Sequence, residues 1–258
     1  MGGSNDKIAS DILFEWLLRR GDTVLVLGHR VSEWCGHSPV LEEDIALANV
    51  ALDLIGQARM WLSLAGEVEG KGRGENELAY LRDAWDFRNV LLAEQPNGDF
   101  GKTLMRQFLI DTFQVLQLKE LETSADPRIA AIAAKAGKEA AYHLDRSADL
   151  VIRLGDGTPE SHRRMQDALD QLWSYTGELF TSDEIDQAMS DAGLAPDPAS
   201  LKSEWQKTVD EVLAEATLTA PDSAFAHLGG LTGRHSEHLG HLLAEMQFLQ
   251  RAYPGATW

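Results

Sequence analysis

Between Pro127 and Leu154 the apolar residues return at helical spacing, through Ile129, Ile132, Ala133, Ala136, Ala140, Leu144, Leu150, Val151 and Leu154. Stepping about 100° per residue, they form a stripe down one side of a long α-helix. Such a stripe has to be buried against other amphipathic elements, and the rest of the chain offers helices. Asp126-Pro127 opens the segment with proline at the first helical position, and Gly155 closes it. Thr158-Pro159 and Ser38-Pro39 open others, and Thr181-x-x-Glu184 has the spacing of a capping box. Helices are expected near 5–19, 41–65, 76–94, 100–122, 127–154, 159–178, 182–191, 199–216 and 230–252. Thr23-Val-Leu-Val-Leu27 has strand propensity, but a lone strand finds no partner elsewhere, so 22–35 is also read as helix. The fold class is all-α. Neither Gly70-Lys-Gly-Arg-Gly74 nor Ala195-Pro-Asp-Pro198 has the character of a domain boundary, and residues 1–258 read as a single domain.

The four central segments read as two helix hairpins, 41–65 with 76–94 and 100–122 with 127–154, which together would make a four-helix bundle. Each carries polar residues near mid-helix: Asp53, then Asp86-x-x-Asn89; Asp111, then Glu139-x-x-x-His143. If the hairpins close tightly, Asp53 lies level with Asp86 and Asn89, and Asp111 with Glu139. Carboxylate-bridged di-iron bundles place a carboxylate on each of two helices and a Glu-x-x-His on each of the other two. Here the carboxylate skeleton is present but the histidines are not. Asn89 holds one histidine position and Tyr142 the other, with His143 displaced by one residue. Amide side chains are poor ligands for iron beside imidazole. The six residues therefore read as a degenerate polar layer that sets the packing of the hairpins, with no metal bound. Between Leu104 and Leu118 the only charged residues are Arg106 and Asp111. Asp111 is expected to be buried and partnered.

Forty-one acidic against 23 basic residues give a formal charge of −18, a surface that repels phosphate backbones and anionic lipid. Neither nucleic acid nor membrane is an expected partner. The single Cys35 allows no internal disulfide and suits a reducing compartment. It reads as a small buried hydrophobe. No basic region followed by an apolar one opens the sequence, and the expected location is the cytoplasm.

Several long stretches resemble one family. Leu41-Glu-Glu-Asp-Ile-Ala-Leu-Ala-Asn-Val-Ala-Leu-Asp53, Glu94-Gln-Pro-Asn-Gly-Asp-Phe100 and Lys138-Glu-Ala-Ala-Tyr-His-Leu144 carry the resemblance. So do Gly155-Asp-Gly-Thr158, Glu178-Leu-Phe180, Glu237-His-Leu-Gly240 and Leu243-Ala-Glu-Met-Gln247. They are similar to the C components of bacterial multicomponent phenylacetyl-CoA 1,2-epoxidases, and the similarity covers nearly the whole chain. The resemblance implies a ferritin-like four-helix bundle core with additional N- and C-terminal helices. It implies a structural, non-catalytic role beside a catalytic A subunit that holds the di-iron site, together with other subunits of the complex. A reductase subunit would supply electrons from NADPH through FAD and iron–sulfur centres. No cofactor is expected in this chain, and in isolation it could form a homodimer.

Two further readings stand beside this one: an active di-iron oxygenase or oxidase in its own right, and a ferritin-like storage or carrier protein. His235, His238 and His241, with His227 upstream and Glu237 between them, have a spacing that could serve zinc. The plainer reading is a polar helix whose imidazoles cap or pair with carboxylates. The seven tryptophans read as core or interface anchors.

Overall fold

The computed structural model describes residues 3–256, and no strand occurs among them. Along the chain run α1 (Gly3–Ser32), α2 (Leu41–Glu69), α3 (Glu75–Tyr80), α4 (Leu91–Glu94), α5 (Phe100–Leu121), α6 (Pro127–Gly155), α7 (Pro159–Leu172), α8 (Glu184–Asp191), α9 (Lys202–Glu215), α10 (Glu237–Met246) and α11 (Phe248–Ala252). Short 3-10 turns at Ala84–Asp86, Trp173–Phe180, Pro198–Leu201 and Gly230–Thr232 interrupt the series. No helix among the described residues is long and apolar enough to cross a membrane. The elements divide into two compact units, Met1–Pro96 with Gly229–Trp258, and Asn97–Leu228.

The first unit is built on the antiparallel pair α1 and α2. Ser10 Oγ donates to the Val68 carbonyl at 3.0 Å, and Trp16 meets Trp61 edge-on with centroids 6.0 Å apart. Two turns apart on α1, glycines face α2: a Cβ on Gly21 would stand 2.6 Å from Leu62, and one on Gly28 would stand 3.2 Å from Leu54 Cβ. The helices approach closely there, and a side chain at either position would have to displace Leu62 or crowd Leu54 and Ile55. The run through Thr23-Val-Leu-Val-Leu27 stays helical because Val24, Leu25, Val26 and Leu27 are all buried, and tertiary burial overrides a weak β preference.

Residues 76–94 depart from expectation. In place of one helix there are α3, a 3-10 turn, extended residues at Phe87 and Val90, and the single turn α4. The cause is Arg82. Its guanidinium is buried and forms a bidentate ion pair with Asp22 of α1, which is itself fully buried. It also donates to the carbonyls of Leu78 and Asp86 and stacks 4.5 Å over the Phe87 ring. A buried guanidinium needs nearly all its N–H groups matched. Intact helix would keep the Leu78 carbonyl for the Arg82 backbone N–H; opening the helix turns it to the side chain. The expected hairpin of 41–65 with 76–94 is therefore replaced by the pairing of α2 with α1.

The second unit is built on α5 and α6. Asp99 caps α5 by accepting from Lys102 N, and Asp126 caps α6 by accepting from Arg128 N. The pair is antiparallel, but its register differs from the tight hairpin. Asp111 meets Ser147 rather than Glu139. The intervening turn is tied elsewhere: Ala125 N donates to the Gly193 carbonyl and Ser124 Oγ to that of Leu194, so α6 starts beyond the end of α5. The start of α8 is also corrected. Asp183, not Thr181, caps it, accepting from Ile185 N and Asp186 N, because a carboxylate accepts two N–H groups where a hydroxyl serves one. Thr181 instead donates back to the Gly177 carbonyl.

Candidate functional site

Asp111 lies on the buried face of α5, fully enclosed. Gln107 Nε2, one turn earlier, donates to its Oδ1 at 2.6 Å, and Ser147 Oγ of α6 donates to Oδ2 at 2.9 Å. His143, one turn before Ser147, is buried within electrostatic reach. Burial pushes the Asp111 carboxyl up to about 6. The charge of His143, the hydrogen bonds from Ser147 and Gln107, and the charge of Arg146 pull it only part of the way back.

The consequence for stability has a definite sign. A carboxyl whose folded value lies above its ordinary 3.8 holds its proton more tightly folded than unfolded. Stability therefore falls as pH rises from about 4 to about 6 and is flat beyond, by about 3 kcal/mol at ~1.4 kcal/mol per pH unit. Asp111→Asn is expected to lose this slope and to be at least as stable as the parent at pH 8. Asp111→Ala also removes the slope and strips Gln107 and Ser147 of a buried acceptor, so it should lose about 1–3 kcal/mol at pH 4 and less at pH 8, where the parent carries the buried charge. Urea titrations at pH 4, 6 and 8 decide it; an unchanged slope in the asparagine variant would refute the assignment.

The first unit holds a second polar centre that the sequence pattern did not mark as a site. Glu94, at the end of the apolar run Val90–Ala93, is fully buried. Its carboxylate accepts from Asn89 Nδ2 at 2.9 Å, His235 Nδ1 at 2.8 Å, and Ser236 N and Oγ at 2.7 Å each. His235 Nε2 donates to the Phe87 carbonyl at 3.0 Å. Arg30 of α1 donates from Nε and Nη2 to the Glu94 backbone carbonyl and from Nη2 to that of His238. Beside it, Asp22 binds Arg82 and accepts from Arg88 N at 2.8 Å, and Arg88 reaches Glu15 at 2.6 Å. Only the histidine spacing and the Glu94-Gln-Pro-Asn-Gly run hinted at this centre.

The structure scatters part of the expected polar layer. Asp53, Asp86 and Asn89 belong to the first unit and Asp111, Glu139 and His143 to the second. Asp86 is exposed, its carboxylate accepting from Asp83 N, while Asn89 is buried and turns its amide nitrogen to Glu94. The two are not helical neighbours, because the helix that would have aligned them is broken. Asp53 and Glu139 are half-buried on α2 and α6. Asp111 and His143 do come together. Tyr142, in the position a histidine ligand would take, is exposed.

Of the histidines, His235 lies before α10 with its ring on Glu94, His241 is exposed, and His227 stacks on Tyr175 in the other unit. Among the described residues no three His, Cys, Asp or Glu side chains converge as a metal ion would require. Cys35 is exposed rather than buried. It follows α1 in a turn, where Cys35 N donates to the Ser32 carbonyl, and its side chain has no core to enter.

Residues 4–258 match the family model described as phenylacetic acid catabolic protein. The chain is 51% identical, over 246 residues, to the C component of the 1,2-phenylacetyl-CoA epoxidase of Escherichia coli (strain K12), covering 95% of this chain and 99% of that one.

Proposed function

This chain belongs to the phenylacetic acid catabolic protein family, and from that premise we propose that it is a non-catalytic, structural subunit of a phenylacetyl-CoA epoxidase. The observation that carries the reading is the placement of the polar residues a di-iron bundle would use. Asp111 is occupied by Gln107 and Ser147, Asn89 donates its amide to Glu94, and Asp86 faces solvent. These residues do not fit a carboxylate-bridged di-iron pair. In the assembly, the iron and the oxygen chemistry lie in a catalytic A subunit, and a reductase carrying FAD and iron–sulfur centres delivers electrons from NADPH. Each unit holds one antiparallel pair of long helices, the kind of element a ferritin-like fold is built from, which supports that fold for this chain. The cytoplasm is the compartment that suits this role.

A subunit of this kind acts through its surface. Leu41, Ile45 and Leu52, 69%, 53% and 67% exposed, share one side of α2 at spacings of one and about three turns. Leu81, Trp85, Phe248 and Tyr253 are also left open. Exposed apolar clusters of this kind support a face covered by a partner, either the catalytic subunit or, in isolation, a second copy.

The test is reconstitution of epoxidase activity with an Asp53→Ala/Glu139→Ala/His143→Ala variant that folds and assembles. Turnover within about twofold of the parent is expected. Lost turnover in an intact assembly, or two irons per chain in protein purified with iron present, would return the chemistry to this chain and favour an active di-iron oxygenase.

A further inference from the structure

The stretch from Gly229 to Ser236 begins with a turn containing two glycines at positive φ, Gly229 at 137° and Gly233 at 81°. A Cβ on Gly233 would stand 2.5 Å from the Trp85 carbonyl oxygen, so the turn lies directly on the backbone of the irregular segment after α3. Its far end inserts His235 and Ser236 onto Glu94. Ser236, the residue before α10, turns its hydroxyl to Glu94 and makes no side-chain cap. The chain here is held by the buried carboxylate and not by its own helix end.

We propose that this stretch is a proton-gated latch: a doubly protonated His235, bridging the Glu94 carboxylate and the Phe87 carbonyl, holds residues 229–238 in place, and loss of one proton opens them. With Glu94 ionised, the geometry requires the charged ring. Nε2 faces a backbone carbonyl, which can only accept, and Nδ1 faces a carboxylate. With one proton removed, a nitrogen lone pair is left against an oxygen inside the fold, where the His235 side chain is 5% exposed and Glu94 is wholly enclosed.

The surrounding charges are largely matched with one another. On α1, Asp22 is matched by Arg82, and Arg30 spends its contacts on the carbonyls of Glu94 and His238 and on Glu33. Arg88, beside Phe87, pairs with Glu15, and Glu237 at the start of α10 is exposed. Burial by itself lowers the basicity of the ring. The hydrogen bonds to Glu94 and Phe87, with the charges of Glu94 and Asp22, outweigh it and hold His235 above its ordinary 6.5. The latch contribution is thus complete below pH 6.5 and is lost as pH rises through the folded value.

Opening remains local. Downstream, Gln247 Nε2 donates to the carbonyls of Ala79 and Arg82, and Arg251 to those of Tyr80 and Arg82. These bonds carry no group that titrates near neutrality, so α10 and α11 stay docked while the latch loosens.

Hydrogen exchange of the Ser236 amide, which donates to Glu94, reads the latch in the full chain. Corrected for intrinsic rates, its opening constant should rise with pH above 6.5, by at most about tenfold per unit, and level off once pH passes the folded value of His235. Core amides of α5 should not respond. The ring nitrogens of His235 should both report protons at pH 6. His235→Gln, which has no proton to lose, should open to the same extent at every pH, so that it exceeds the parent most at pH 6 and the difference narrows as pH rises. A pH-independent Ser236 amide in the wild-type chain, or a neutral His235 ring at pH 6, would overturn the proposal, whether or not the variant folds.

Discussion

Arg82→Ala is expected to cost about 3–5 kcal/mol of folding stability, because it leaves the Asp22 carboxyl group enclosed without its partner. The guanidinium is the centre around which residues 78–88 are shaped. It matches the Asp22 carboxylate, occupies the carbonyls of Leu78 and Asp86, and covers the Phe87 ring. Removing Asp22 instead strands the cation and also deprives Arg88 N of its acceptor, so Asp22→Ala should be of similar size. The double variant Asp22→Leu/Arg82→Met removes both charges and keeps apolar volume. It should lose less than the two single losses combined, because neither charge remains buried alone. Urea denaturation of Asp22→Leu, Arg82→Met and their double variant closes the cycle, with the two alanine variants beside it. Single losses below about 1 kcal/mol that simply add would show that the pair is solvated and that the break in the helix has another cause.

In the second unit the largest effect is expected at Trp205. Its indole lies against Trp173 and Phe180, with ring centroids 5.9 and 5.1 Å away, and Phe180 in turn meets Phe113 of α5 at 5.7 Å. Nε1 donates to the Leu109 carbonyl at 3.0 Å. Leu109 is two residues before Asp111, so this contact helps fix the rotation of α5 that turns Asp111 toward Ser147. Trp205→Ala empties a fully buried site and should cost about 3–5 kcal/mol. Trp205→Phe keeps most of the ring packing and loses only the donor to a carbonyl that the helix itself can still satisfy, so about 1 kcal/mol is expected. Thermal and urea unfolding separate the two. Equal losses for alanine and phenylalanine would assign the stability to the hydrogen bond and reject the packing argument.

Much of the helical framework was legible from local chemistry. Asp126-Pro127 and Thr158-Pro159 mark true helix starts, because a capping oxygen and a proline at the first position act within one turn of the chain. The long stripe of α6 is buried through Ile129, Ala133, Ala136, Ala140 and Val151, since a period of 3.6 residues is a property of the helix alone. The burial of Asp111 was legible for the same reason: a helix apolar nearly all round has no solvent face on which to place a lone carboxylate. Cys35 misled because burial statistics for a residue type say nothing of a turn whose side chains find no core.

Other features required partners far along the chain. Arg82 looks like any surface arginine until Asp22, 60 residues away, is placed beside it, and then it breaks the helix that periodicity predicted. Glu94 and His235 are separated by 141 residues, and neither has a neighbour in sequence that announces the other. Local pattern distinguishes apolar faces from polar ones. It does not distinguish a charge that faces water from a charge that faces its counterion, because both look polar in sequence and only the packing of distant segments brings the counterion. The sequence by itself therefore determined the helical class, many of the helix boundaries and the family. The pairing of α1 with α2, the broken segment after α3 and the two buried charge centres were decided by tertiary structure, where desolvation forces each buried charge to find its partner.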